Sequence, residues 1–116
     1  MAINDVPMMK LLIIMDSEYG CDMRGMLSFQ ILFLLSKKSM HGDEIAQEIG
    51  KRRGDKPTAG TIYPALKDLK EKNLIKGNKK GKIIVYALTP SGKKTVKSAT
   101  EYFCRCFTDI FESRKK

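Results

Sequence analysis

At 116 residues, 42% of them hydrophobic, the chain has the size and apolar content of one folded domain with a modest core, not of a disordered segment. Its 22 Lys and Arg against 13 Asp and Glu leave a net charge of +9, which implies a polyanionic partner: nucleic acid or an acidic membrane surface. Three cysteines without disulfide-framework spacing, and an opening Met1-Ala2-Ile3-Asn4-Asp5 without the basic residues of a secretory signal, point to a cytoplasmic protein.

Residues 3–17 begin with cap candidates Asn4 and Asp5 and with Pro7, which suits a first helical turn. The run Met8-Met9-Lys10-Leu11-Leu12-Ile13-Ile14-Met15 then reads as a short helix in preference to a buried strand, and is too short to span a bilayer. So apolar a segment needs a cover, either its own domain or a second subunit. Leu12 and Met15 are its expected contacts with a second copy. Tyr19-Gly20-Cys21-Asp22 reads as a turn.

From Met26 to Ser36, Leu27, Ile31, Leu34 and Leu35 recur at helical spacing, and Met26, Phe29 and Phe33 add apolar surface on another flank. This helix is expected to be buried on most sides. After the break Lys37-Lys38-Ser39-Met40-His41-Gly42, a second helix runs from Asp43 to Arg53, with Ile45, Ala46 and Ile49 inward. Asp43 or Gly42 is its expected N-cap, and Gly54 its stop. Its basic end, Lys51-Arg52-Arg53, suits either compensation of the helix dipole or a phosphate contact.

The stretch Lys56 to Lys70 is a third helix. Ile62, Leu66 and Leu69 form its apolar face, and Tyr63, Lys67 and Lys70 repeat on the adjacent one. Pro64 lies near enough to its start to be tolerated, and Lys72-Asn73 ends it. Leu74-Ile75-Lys76 begins a strand, Gly77-Asn78-Lys79-Lys80-Gly81 reads as a loop, and Lys82 to Leu88 as a return strand. A lysine-tipped hairpin directly after an amphipathic helix describes a winged helix-turn-helix unit.

Thr89-Pro90 signals the start of the last helix, which runs to about Arg114. Val96, Ala99, Phe103, Cys106 and Ile110 follow one another at spacings of 3, 4, 3 and 4, a seam widened by Tyr102, Phe107 and Phe111. That stripe exceeds what one small core covers, so the helix is expected to pair with a second copy.

An enzyme is disfavoured. His41 is the one histidine, with no Ser/His/Asp set and no phosphate-cradling glycine loop. Cys104 and Cys106 point to nearly opposite sides of a helix and cannot share a metal ligand set, so no metal and no cofactor are implied. Basic residues of the last helix cluster at its ends instead of forming a polar face, which ranks a membrane surface below nucleic acid.

Four segments resemble the PadR family of transcriptional regulators, over about residues 24–95. Arg24-Gly25-Met26-Leu27 with Ile31-Leu32-Phe33-Leu34-Leu35 is similar to the family's first helix, and Met40-His41-Gly42 before Glu44-Ile45 resembles its "HGYEI" segment. Gly60-Thr61-Ile62-Tyr63-Pro64-Ala65-Leu66 is similar to "GTLYPAL", the most specific piece, and Tyr86-Ala87-Leu88-Thr89-Pro90-Ser91-Gly92 resembles "YxLTxxG". Asp43 departs from the family's usual aromatic, and Ile83-Ile84 stand where arginine or aromatic residues are frequent.

The resemblance implies a mainly α fold with a small β-hairpin wing, a winged helix-turn-helix, with N- and C-terminal dimerisation helices. Residues 1–20 would be a helical extension at the dimer contact, 21–91 the DNA-binding domain, and 92–116 the dimerisation helix. It implies a repressor bound to double-stranded DNA at a pseudo-palindromic operator as a homodimer; a small-molecule effector is a further candidate partner. The alternative is a winged-helix module for RNA or a protein. The expected DNA-contacting residues are Thr58, Ala59, Gly60, Thr61, Tyr63, Pro64, Lys67 and Lys70, with Lys79, Lys80 and Lys82 in the wing. The expected dimer contacts are Leu12, Met15, Val96, Ala99, Phe103, Cys106, Phe107 and Ile110.

Overall fold

The apolar periodicities of the chain close around one buried helix. The structure, a computed structural model, describes residues 24–114. The expectations for residues 1–20, including Leu12 and Met15, and for Cys21 lie outside the described residues. Helix α1 spans Arg24–Leu35, and Leu27, Ser28, Phe29, Ile31, Leu32, Leu34 and Leu35 on it are all buried. It packs against every other helix described and against one strand, which is the burial on most sides that its apolar flanks require.

Strand β1, Met40–His41, leads into helix α2, Gly42–Arg53, whose Ile45, Ala46 and Ile49 face the core. The α2 cap is His41, not Asp43 or Gly42. The Glu44 amide donates to His41 Nδ1 at 3.4 Å and the His41 amide donates to Glu44 Oε1 at 3.1 Å, a reciprocal capping box. The helix starts one residue earlier than the sequence pattern suggests, which frees the Asp43 carboxylate for other partners. Gly54, with φ of 96°, ends α2 by donating its N–H to the Gly50 carbonyl at 2.8 Å.

Helix α3, Ala59–Glu71, buries Ile62, Leu66 and Leu69 as its spacing requires. Its end is a left-handed turn at Asn73, φ 61°, closed by the Leu74 amide on the Leu69 carbonyl at 3.0 Å. Strands β2, Ile75–Lys80, and β3, Ile83–Leu88, pair antiparallel from Ile75 opposite Leu88 to Lys80 opposite Ile83. Residues 77–80, expected as a loop, are therefore strand, and the turn is Gly81-Lys82 alone. Gly81 takes φ of 62°, which a two-residue hairpin loop demands. Strand β1 joins the other side of β3, with Met40 opposite Tyr86, so the sheet order is β1-β3-β2.

Helix α4, Pro90–Arg114, is 25 residues long. Its cap residue Thr89 is buried and ties three elements together. Thr89 Oγ1 accepts from the Gly92 amide at 2.9 Å and donates to the Asn73 carbonyl at 2.7 Å, while its amide donates to the Leu74 carbonyl at 3.1 Å. Val96 and Ala99, expected at a dimer contact, are 6% and 1% exposed within the chain's own core. They belong to the half of α4 that packs on α1, and present almost no side-chain surface to a second copy. Phe103 rests on Phe29, ring centroids 5.5 Å apart, and marks where α4 leaves the core.

Candidate nucleic-acid interface

Helix α3 divides cleanly by residue spacing. With Ile62, Leu66 and Leu69 inward, Gly60, Tyr63, Lys67 and Lys70 stand exposed on the outer side. Thr58, Ala59 and Pro64 are exposed beside them, and Thr61 is half-buried. Of the eight residues expected at DNA on α3 and its N-cap, seven are thus exposed.

Thr58 is the N-cap residue of α3 by backbone conformation, yet its side chain makes no capping hydrogen bond. Its hydroxyl lies 3.3 Å from that of Thr61, so two hydroxyls sit together at the exposed helix start. The Thr61 amide donates to the Thr58 carbonyl at 3.0 Å, the Ala59 and Gly60 amides before it make no such bond among the described residues, and no acidic residue stands in that turn. A helix start of this kind favours an anion such as a backbone phosphate. Pro64 has no N–H to offer the Gly60 carbonyl, which leaves that acceptor free as well.

Tyr63 is the least ordinary residue of the surface. It is 48% exposed, but its ring lies over the start of α2, so that a Cβ on Gly42 would fall 2.6 Å from Tyr63 Oη. Tyr86, on β3, has its hydroxyl pKa raised by burial and further by the nearby Tyr63. Tyr63 therefore lies against the start of α2 and near Tyr86 of the sheet. The segment joining α2 to α3 is held by Lys56, whose Nζ donates to the Asp43 carboxylate at 2.9 Å. That ammonium, with the Gln47 amide at 2.7 Å, holds the Asp43 carboxyl below its usual range.

The basic end of α2 is occupied internally. Lys51 and Arg52 reach the Glu48 carboxylate at 3.1 and 3.0 Å, Arg52 also donates to the Glu48 carbonyl at 2.8 Å, and Arg53 reaches Asp55 at 3.3 Å. Arg52 and then Lys51 lower the Glu48 pKa. The Arg52 bond to the Glu48 carbonyl fits compensation of the helix dipole, and all three basic side chains stay on the surface.

In the wing, Lys79, Lys80 and Lys82 are all exposed. Because Lys79 and Lys80 are successive strand residues, they project from opposite faces, Lys79 with Ile84 and Tyr86, Lys80 with Ile83 and Val85. Ile83 and Ile84 are 45% and 43% exposed at the same tip. Their exposure was not foreseen, and alternation alone could not reveal it, since both look like sheet core. Among the described residues no group of three His, Cys, Asp or Glu side chains is placed to hold a metal. No described helix is long and apolar enough to cross a membrane.

Comparison with known proteins follows this geometry. The family model described as the transcriptional regulator PadR-like family matches residues 31–98. No match is found among curated protein sequences. RosR of H. salinarum is 28% identical over 70% of this chain and 74% of its own, with a TM-score of 0.65. A transcriptional regulator from Clostridium thermocellum is 26% identical over 78% of this chain and 91% of that one, with a TM-score of 0.67. A PadR-like transcriptional regulator from Bacillus cereus shares the fold at a TM-score of 0.71 and 21% identity, over 81% of this chain and 96% of that one.

Proposed function

The chain belongs to the transcriptional regulator PadR-like family, and on that premise we propose that it is a repressor that binds a pseudo-palindromic operator in double-stranded DNA as a homodimer. The observation that carries this reading is the exposed outer surface of α3, uncapped and hydroxyl-rich at its start and lysine-bearing farther along. Thr58, Ala59, Gly60 and Thr61 enter the major groove, where small residues permit close approach. Tyr63 and Pro64 fix the docking, and Lys67 and Lys70 neutralise phosphates. Lys79, Lys80 and Lys82 extend the phosphate contacts from the wing.

No arginine or asparagine on the outer side of α3 is available to read guanine or adenine bidentately. Base choice then rests on threonine contacts and on DNA shape. The exposed end of α4 supplies the contact between two copies, and two-fold symmetry sets half-sites about 34 Å apart. Fluorescence anisotropy with duplex DNA tests the reading. Affinity should fall steeply with salt and favour a palindrome over its separated half-site, and a salt-independent affinity would sink it.

A further inference from the structure

A second basic feature shares no residue with α3 or the wing turn. A cleft of about 500 Å³ opens between the end of α1, the β2–β3 ladder and the first turns of α4. Lys37, Lys38, Lys76 and Lys93 line it together with Ser36 and Ser39, and no carboxylate does. The ion pairs formed among the described residues use His41, Lys51, Arg52, Arg53, Lys56 and Lys72, and none of the four cleft lysines.

Two of these lysines have a local reason to be there. Lys37 and Lys38 follow the carboxyl end of α1, where cations are favoured, and Lys37 Nζ stacks 4.8 Å from the centre of the Phe33 ring. Lys93 is the opposite case. It stands in the first turn of α4, at the positive helix end, and that turn has no acidic residue to balance it. Lys76, opposite Ala87 in the ladder, forms no ion pair among the described residues either.

A sphere of the cleft's volume is about 10 Å across, so an anion at its centre lies about 5 Å from the wall, inside the screening length of about 8 Å at physiological ionic strength, where the lysines lining the cleft attract it together. A multiply charged anion gains most from that attraction, and the Ser39 hydroxyl can donate to it, while that of Ser36 is given to the Phe33 carbonyl. We propose that this cleft is a second anion site that binds a phosphate group, carried by a small phosphorylated molecule or by the DNA backbone.

Lys76→Gln with Lys93→Gln tests this without touching Lys37; both side chains are exposed, and a thermal melt checks that the variant folds. Isothermal titration with inorganic pyrophosphate should show one site per chain, weakened about tenfold or more in the double variant. Lys79→Gln with Lys80→Gln should leave it unchanged. If the phosphate comes from DNA, pyrophosphate does not bind, and the cleft variant instead lowers duplex affinity, with the log–log salt slope reduced by about four, two lysines in each of two protomers. The proposal is overturned if neither ligand responds to the cleft variant, or if the wing variant weakens pyrophosphate equally. The pyrophosphate measurement does not depend on operator binding, so the two readings fail separately.

Discussion

Gly42 and Gly92 both face a neighbour too close for a side chain, but the neighbours differ in kind. At Gly92 a Cβ would lie 2.0 Å from the Leu74 carbonyl oxygen, and that backbone is fixed by the Thr89 amide. Gly92→Ala should therefore destabilise the fold by about 3 kcal/mol or more, measured by urea unfolding. At Gly42 the obstacle is the far end of the half-exposed Tyr63 side chain, which can swing away. Gly42→Ala should cost less than about 1 kcal/mol in the same assay, yet weaken duplex binding by displacing Tyr63. Both glycines lie in segments that resemble family motifs, so their importance was legible in the sequence. The atoms they make room for were not, because Tyr63 and Leu74 approach from other elements.

At the scale of elements, α3 shows how far periodicity reaches. Its spacing fixes which side is buried, and therefore which side is free to meet DNA. Lys67→Ala with Lys70→Ala should weaken all duplexes alike and lower the log–log salt slope of the dimer by about four. Thr58→Ala with Thr61→Ala should instead alter the preference among sequences and leave that slope intact, and the reverse pattern would exchange their roles. The wing was less legible. Gly77, Asn78, Lys79 and Lys80 are all poor strand formers, and only their ladder with β3 makes them strand. Helix α2 adds a pH response. Asp43 and Glu48 titrate below their ordinary values of 3.8 and 4.5, so the ties they make are intact above those values and are lost as pH falls through the lowered ones. Melting temperature should hold down to about pH 5 and then fall, less steeply in Asp43→Asn; solvent screening of both pairs at the surface keeps the contribution small.

The whole molecule is asymmetric about Phe103. Before it, α4 closes the core; beyond it, Phe103, Phe107 and Phe111 form a ladder with centroids 4.7 and 6.3 Å from Phe103, and Ile110 is 60% exposed. An apolar ladder outside the core is the surface a second copy would cover. Sedimentation should give a dimer for the native chain and a folded monomer for Ile110→Glu with Phe111→Glu, since neither residue belongs to the core. A native chain that sediments as a monomer at micromolar concentration would rule this contact out. Cys106, expected on the seam, is exposed in the single chain, as is Cys104.

The four described helices, the buried faces of the first three, the cap at Thr89 and the family were legible in the amino-acid sequence, because helical spacing and capping are local properties written within one element. Tertiary structure decided the rest. It paired the two residues of β1 with β3, extended β2 into a lysine-rich stretch, and divided the seam of α4 into a buried half and an exposed half. It also gathered four lysines from three separate stretches of chain into one cleft. Each of these depends on which segments meet in space, and no periodicity within a single element carries that information.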